Sequence, residues 1–237
     1  MSDKIGKLPE HPLLGRTIVR LDERSKRFGV RGALFAEDAP LKAKTWRRPR
    51  AFDQGQGSQC VGFSIYGLIQ SQPLTSLVPL DVRHLAGPIQ LYRYAQQIDE
   101  WPGVEPTYYG TSVLAGFKAA HINGWIPGYR WCFGLDDTLR TISNYAPVVI
   151  GVNWYNSMFA TDEHGFVKPG GPLAGGHAIE IHGIDPKHEF VVGTNSWGPG
   201  WGMAGRFRMS FETLEYLLNQ DGESCTVAET SPSEAAA

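Results

Sequence analysis

From Cys60 the run CVGFSIYGLIQSQ sets apolar side chains at helical spacing, and the same period returns in GPIQLYRYAQQIDEW, residues 87–101. A third such run, TSVLAGFKAAHINGW, opens on Thr111 and Ser112 as N-cap candidates and closes near Gly124. After Trp125 the period changes. APVVIGVNWY, GGHAIEIHGID, HEFVVGTNSW and GRFRMS are rich in β-branched and aromatic residues with turn residues between them, which predicts strands; FETLEYLLN, residues 211–219, predicts a short helix. Before residue 50 the chain is polar, with two short extended-looking pieces, RTIVRL and RGALFA. The pattern divides the chain into an arm (1–48), a helical half (49–125), a β-rich half (126–225) and a mobile polar tail (226–237). Helices followed by antiparallel strands make the fold class α+β, with a cleft expected where the halves meet.

Charge changes the picture of the arm. Residues 1–50 hold 13 of the 22 Lys+Arg and 6 of the 24 Asp+Glu, a balance of +7 against −9 for the rest. A nucleic acid partner is disfavoured, because no recognition motif accompanies the charge; an arm docked on its own acidic body satisfies it. WRRPR, residues 46–50, reads as a cleavage-prone linker. The 42% hydrophobic content supports a substantial core, whereas 28 glycines and 16 prolines exclude a helical bundle. No apolar run is long enough to cross a bilayer, so no membrane role is expected. Three cysteines cannot all pair and no secretory signal stands at the start, which predicts a reducing, cytoplasmic setting.

Candidate chemistry centres on DQGQGSQCVGFS. A thiol is a useful nucleophile only when ionised, and an ordinary cysteine at pKa ~8.5 is only a few per cent thiolate at neutral pH. Cys60 follows a glycine-rich turn at the start of a helix, where unpaired N–H groups lower a thiol's pKa. His177, after two glycines in GGHAIEIHG, is the candidate base. Asn195, in NSWGPGWG on the next strand-like segment, can hold the imidazole in one tautomer. Gln54, six positions before Cys60, offers an amide donor to an oxyanion beside the Cys60 N–H. His182 falls on the opposite face of its strand, and Cys132 and Cys225 have no such company and read as structural. No His or Cys pair has customary zinc spacing, so no metal and no cofactor is expected.

Taken in order, these three blocks resemble the signature blocks of the papain-like cysteine peptidases, over residues 45–218. The resemblance implies a helical half and an antiparallel β-barrel-like half enclosing the active-site cleft. It implies Cys60 as nucleophile, His177 as base and acid, Asn195 as orienter, Gln54 in the oxyanion hole, and Trp197 shielding the His177–Asn195 bond from water. Gly110 stands where the family has a glycine pair that binds substrate backbone; here one glycine is present. Gly151 and Ala178 match pocket-lining positions and, being small, imply room for a bulky apolar or aromatic side chain. The run Gly57-Ser58-Gln59-Cys60-Val61 lacks the first cysteine and the aromatic of the family's secreted members. The spacing is similar to that of short bacterial or phage-encoded relatives, and any autoinhibition falls to the arm. The expected function is a thiol endopeptidase acting on peptide or protein substrates. The alternatives are a transpeptidase or cell-wall amide hydrolase using the same site, or a structural module of a virus particle with a vestigial site and virion association.

Overall fold

The computed structural model describes residues 11–17, 23–31, 33–36, 38–79, 87–99 and 109–229. Among them are seven strands: Lys44–Thr45 (β1), Tyr129–Trp131 (β2), Val148–Tyr155 (β3), Leu173–Asp185 (β4), Phe190–Thr194 (β5), Arg206–Ser210 (β6) and Glu223–Val227 (β7). The five α-helices are Cys60–Ile69 (α1), Pro88–Ile98 (α2), Val113–Ile122 (α3), Gly134–Asn144 (α4) and Phe211–Leu218 (α5). The strands form one antiparallel sheet in the order β2-β7-β3-β4-β5-β6, and β1 takes the edge of β4 at Gly183 and Ile184, beyond the end of β3. This is the α+β class read from the sequence.

The period-2 alternation of β3 decides which half of the core each residue serves. Val148, Ile150, Val152 and Trp154 enter a cluster with Leu139 and Ile142 of α4 and Leu214 and Leu217 of α5. Val149, on the other face, enters a second cluster with Ile65 and Leu68 of α1 and Phe117 of α3. Every residue of α1 is buried, as its all-round apolar sequence requires. It packs on β4, where Ser64 Oγ donates to the Ala178 carbonyl at 2.8 Å. The helical and β-rich halves therefore meet at the helix that begins with Cys60.

A buried ion pair ties the other end of this contact. Arg48 Nε meets Glu180 Oε2 at 2.9 Å, with side-chain exposures of 8% and 1%, and Ser71 Oγ donates to Glu180 Oε1 at 2.6 Å. Residues 46–50 are thus anchored by Arg48, where the sequence suggested a cleavage-prone linker. Removing one partner leaves a buried charge without its counter-ion, so Glu180→Ala should lower stability by about 3–5 kcal/mol in urea titration. The double change Arg48→Met, Glu180→Leu should lose far less.

Helix α4 is absent from the sequence reading. Its GLDDTLRTISN is largely polar, yet Leu135, Leu139 and Ile142 recur at helical spacing. Thr138 and Thr141, buried in it, donate to the carbonyls of Gly134 and Asp137, which satisfies their hydroxyls inside the helix. Strand β7 is a second correction: Thr226 and Val227, assigned to a mobile tail, pair with Arg130 and Tyr129 and are buried. Residues 230–237 of that tail lie outside the described residues, as does most of RTIVRL. Within RGALFA, Ala33 and Leu34 lie in a turn rather than a strand, their N–H groups both donating to the Val30 carbonyl. Nearby, Arg31 binds Asp136 and Asp137 of α4 at 2.6 and 2.5 Å, and Trp46 Nε1 donates to the Ile142 carbonyl at 2.7 Å.

Candidate active site

Backbone pairing joins the first and third sequence blocks directly. Gln54 N–H donates to the Ser196 carbonyl at 2.8 Å and Gly198 N–H to the Phe52 carbonyl at 2.9 Å. The second block lies on β4, whose Glu180 pairs with Thr194 at the end of β5, so Asn195 emerges beside the start of β4. There His177 Nε2 lies 2.8 Å from Asn195 Oδ1. The same Oδ1 accepts from the Ser196 N–H at 2.8 Å, which turns the amide oxygen toward the ring. Nε2 is consequently the protonated nitrogen, and in the neutral ring Nδ1 carries the lone pair. Nδ1 is buried and has no hydrogen-bond partner among the described residues.

Aromatic rings wall this pair. Trp197 stacks on the imidazole with centroids 4.8 Å apart, and Trp154 meets it edge-on at 4.8 Å. Phe159 and Trp201 contact the far side of Trp197. His182 projects to the opposite face of β4, its Nε2 3.1 Å from Thr194 Oγ1.

Gln54 is oriented in the same manner as Asn195. Ser196 Oγ donates to its Oε1 at 2.6 Å, which leaves Nε2 as a donor into the crevice. That Nε2 donates to the carbonyl of Leu13, and Trp197 Nε1 donates to the same oxygen, each at 3.2 Å. Leu13 belongs to the arm, and its peptide oxygen takes both donors. The segment continues along the crevice. The N–H groups of Gly15 and Arg16 both donate to the Gly176 carbonyl, at 3.1 and 3.0 Å. Gly15 O then accepts from Thr111 N–H at 2.8 Å, and Thr17 N–H donates to Thr111 O at 3.0 Å.

Burial under this segment governs the electrostatics. Cys60 heads α1, yet its side chain has no exposure, and its pKa is pushed up to about 11, chiefly by burial. Backbone hydrogen bonds at Ala178, Gly15 and Val61 oppose that shift without overcoming it. The sequence suggested a thiol with a lowered pKa; covered by the arm, the helix terminus is outweighed by desolvation. Burial likewise pulls His177 down to about 4, against the raising influence of the Asn195 bond. Thiol and imidazole are both neutral across the range between. Cys132 and Cys225 are buried and free, with pKa values pushed up by burial, Cys132 to about 12.

Of the substrate-contact positions read from the sequence, Gly151 and Ala178 face each other across β3 and β4. Gly110 adjoins the arm, but the strand-like pairing is made by Thr111, one residue later. The space beside Gly151 holds the Arg16 guanidinium and Glu223 alongside Val113, so it is not lined by apolar atoms alone. Thr111, Gly176, Ser196 and Glu223 were not among the sequence candidates. Ser196 and Gly176 adjoin residues that were, whereas Glu223 stands far from every motif. Among the described residues no helix is long and apolar enough to cross a membrane.

Comparison with known proteins bears on the fold. Residues 134–232 match the family model described as papain family cysteine protease. Among solved structures, xylellain, a cysteine protease from Xylella fastidiosa, superposes with a TM-score of 0.71 at 17% identity, covering 96% of this chain and 99% of that one. Bromelain from Ananas comosus superposes with a TM-score of 0.55 at 17% identity, covering 81% of this chain and all of that one. In sequence, 83 residues are 31% identical to cathepsin B-like cysteine proteinase 6 of Caenorhabditis elegans, a stretch that is 32% of this chain and 22% of that relative. The chain therefore has the papain-like fold, and its β-rich half carries the match to the papain family of cysteine proteases.

Proposed function

We propose that the chain is a papain-like thiol endopeptidase whose crevice is closed by its own residues 11–17. The observation that carries this reading is the peptide lying in the crevice. Its backbone is held by Thr111 and Gly176, its Leu13 carbonyl accepts from Gln54 and Trp197, and Gly15 touches Cys60. A groove that binds peptide backbone beside a thiol, an oriented imidazole and an aimed amide has the parts that acyl transfer needs.

With the arm displaced, water returns to the crevice and the desolvation that keeps both groups neutral is relieved. His177 Nδ1 takes the Cys60 proton, and the thiolate attacks the carbonyl carbon of the substrate. The developing oxyanion is held by Gln54 Nε2 and the Cys60 N–H. As the C–N bond breaks, the imidazolium gives its proton to the leaving amine. Water, deprotonated by His177, then cleaves the thioester and restores the thiol. Asn195 keeps Nε2 protonated throughout, and Trp197 covers that bond.

The test is cleavage of a peptide library by the purified chain, with a thiol-directed inhibitor as control and product masses compared with and without added amine. Free acid products support hydrolysis; amine adducts point to transpeptidation; cleavage that the thiol reagent does not touch counts against the reading. Gln54→Ala should slow acylation about 100-fold, or ~3 kcal/mol in barrier, as loss of an oxyanion donor does.

A further inference from the structure

Behind the His177–Asn195 pair lies a small recess where α1, β4 and the end of β5 meet. Arg48, Ser64, Glu180, Thr194 and Asn195 line it. It offers about 10 Å³ to the centre of a water molecule, the room of a single one.

Asn195 brings an unmet donor to this space. Its Oδ1 already takes His177 Nε2–H and Ser196 N–H. The amide is planar, so an Oδ1 turned to the ring turns Nδ2 away from it. That Nδ2 is buried and has no hydrogen-bond partner among the described residues. A buried amide donor left unmet is costly, and a water is held in such a space when two to four polar groups surround it.

The other walls supply those groups. Ser64 Oγ spends its proton on the Ala178 carbonyl and keeps its lone pairs. Glu180 receives Ser71 Oγ on Oε1 and Arg48 Nε on Oε2, and each carboxylate oxygen can accept a second donor. One water there accepts from Asn195 Nδ2 and donates to Ser64 and Glu180.

We infer that a single buried water in this recess couples Asn195 to Glu180, and that Glu180 is a positioning residue for the His177–Asn195 pair. The ion pair with Arg48 fixes the carboxylate, the carboxylate holds the water, and the water keeps the amide from turning over. Oδ1 therefore stays against the ring, and His177 Nδ1 stays the basic nitrogen. This deepens the peptidase reading, on which its kinetic consequence rests.

The experiment uses the full chain. A high-resolution crystal structure should show one ordered water within about 3.2 Å of both Asn195 Nδ2 and the Glu180 carboxylate. A dry recess, or a water held by Asn195 but remote from Glu180, overturns the inference. Two double variants, both without the ion pair, then separate positioning from support of the fold. Arg48→Met, Glu180→Leu removes the acceptor, whereas Arg48→Met, Glu180→Gln keeps an amide oxygen to receive the water. Per folded molecule the leucine variant should lose kcat roughly 3- to 10-fold at unchanged KM, the worth of one hydrogen bond, and the glutamine variant should recover most of it. Ring-nitrogen NMR of His177 should show Nε2 protonated in the parent and glutamine chains and a mixture of tautomers in the leucine chain. Equal rates and equal spectra in the two variants reduce Glu180 to a support for the fold and overturn the inference. A chain that cleaves no peptide overturns the peptidase reading, and the water and the ring spectra then decide this inference on their own.

Discussion

Replacing Cys60 by alanine should abolish peptide hydrolysis, lowering kcat by about 10⁴-fold or more while leaving the fold intact. The change removes one buried sulfur from the first residue of α1; the structural loss is that of a small, largely apolar group, about 1 kcal/mol. The chemical loss is total, because neither His177 nor Gln54 can form the covalent intermediate. Cys132→Ala and Cys225→Ala, which alter thiols without a part in the proposed acyl transfer, should keep the wild-type rate per folded molecule. Measuring initial rates on one peptide beside the unfolding midpoint of each variant separates the two effects. Undiminished hydrolysis by Cys60→Ala would refute the assignment.

The parts of this site differ in how far sequence could disclose them, and the difference is physical. Cys60, His177 and Asn195 lie in short blocks where glycines and aromatics surround each reactive group, so the local composition already marks a strained or closely approached backbone. The helical spacing of α1 and α3 and the β-branched, aromatic runs of β3 and β4 were equally legible, because each is a largely apolar stretch bounded by turn residues. Helix α4 was hidden because its inward hydroxyls are satisfied within the helix, which makes its buried side read as polar. Strand β7 was hidden because Thr226 opens a polar, small-residue run that reads as tail, although Thr226 donates to the Pro147 carbonyl at 2.7 Å. Glu223 and Arg16 were beyond reach for a different reason. They are 207 positions apart, and only the folded chain brings a carboxylate opposite a glycine and a guanidinium between them. The state of the thiol was also illegible: helix position argues for a low pKa, but burial under a distant segment reverses the sign.

Gly15 offers the sharpest test of that reversal. A Cβ built there would lie 1.8 Å from the Ser58 carbonyl oxygen and 2.5 Å from its carbon, both backbone atoms that cannot rotate away. Gly110, at φ +79° on the other side, approaches so closely that its own Cβ would sit 2.3 Å from Gly15 O. The arm therefore threads a gap that only a residue without a side chain can pass. Gly15→Val should lift the segment, break the bonds to Gly176 and Thr111, and readmit water to Cys60 and His177. A return of the thiol from about 11 toward its ordinary value of 9.0 alone multiplies the thiolate fraction by roughly 100 at pH 6, and any imidazolium partner multiplies it further. Alkylation of Cys60 by iodoacetamide at pH 6 should accelerate by at least that order, and peptide hydrolysis should rise with it. Gly15→Ala, with one offending carbon, should move both rates the same way by less. Since position 15 lies outside the body of the site, neither change adds a catalytic group; a gain can come only from uncovering those already present. Alkylation as slow in Gly15→Val as in the parent chain would mean that the thiol is sealed by the body itself, and the closed-crevice reading would have to be given up.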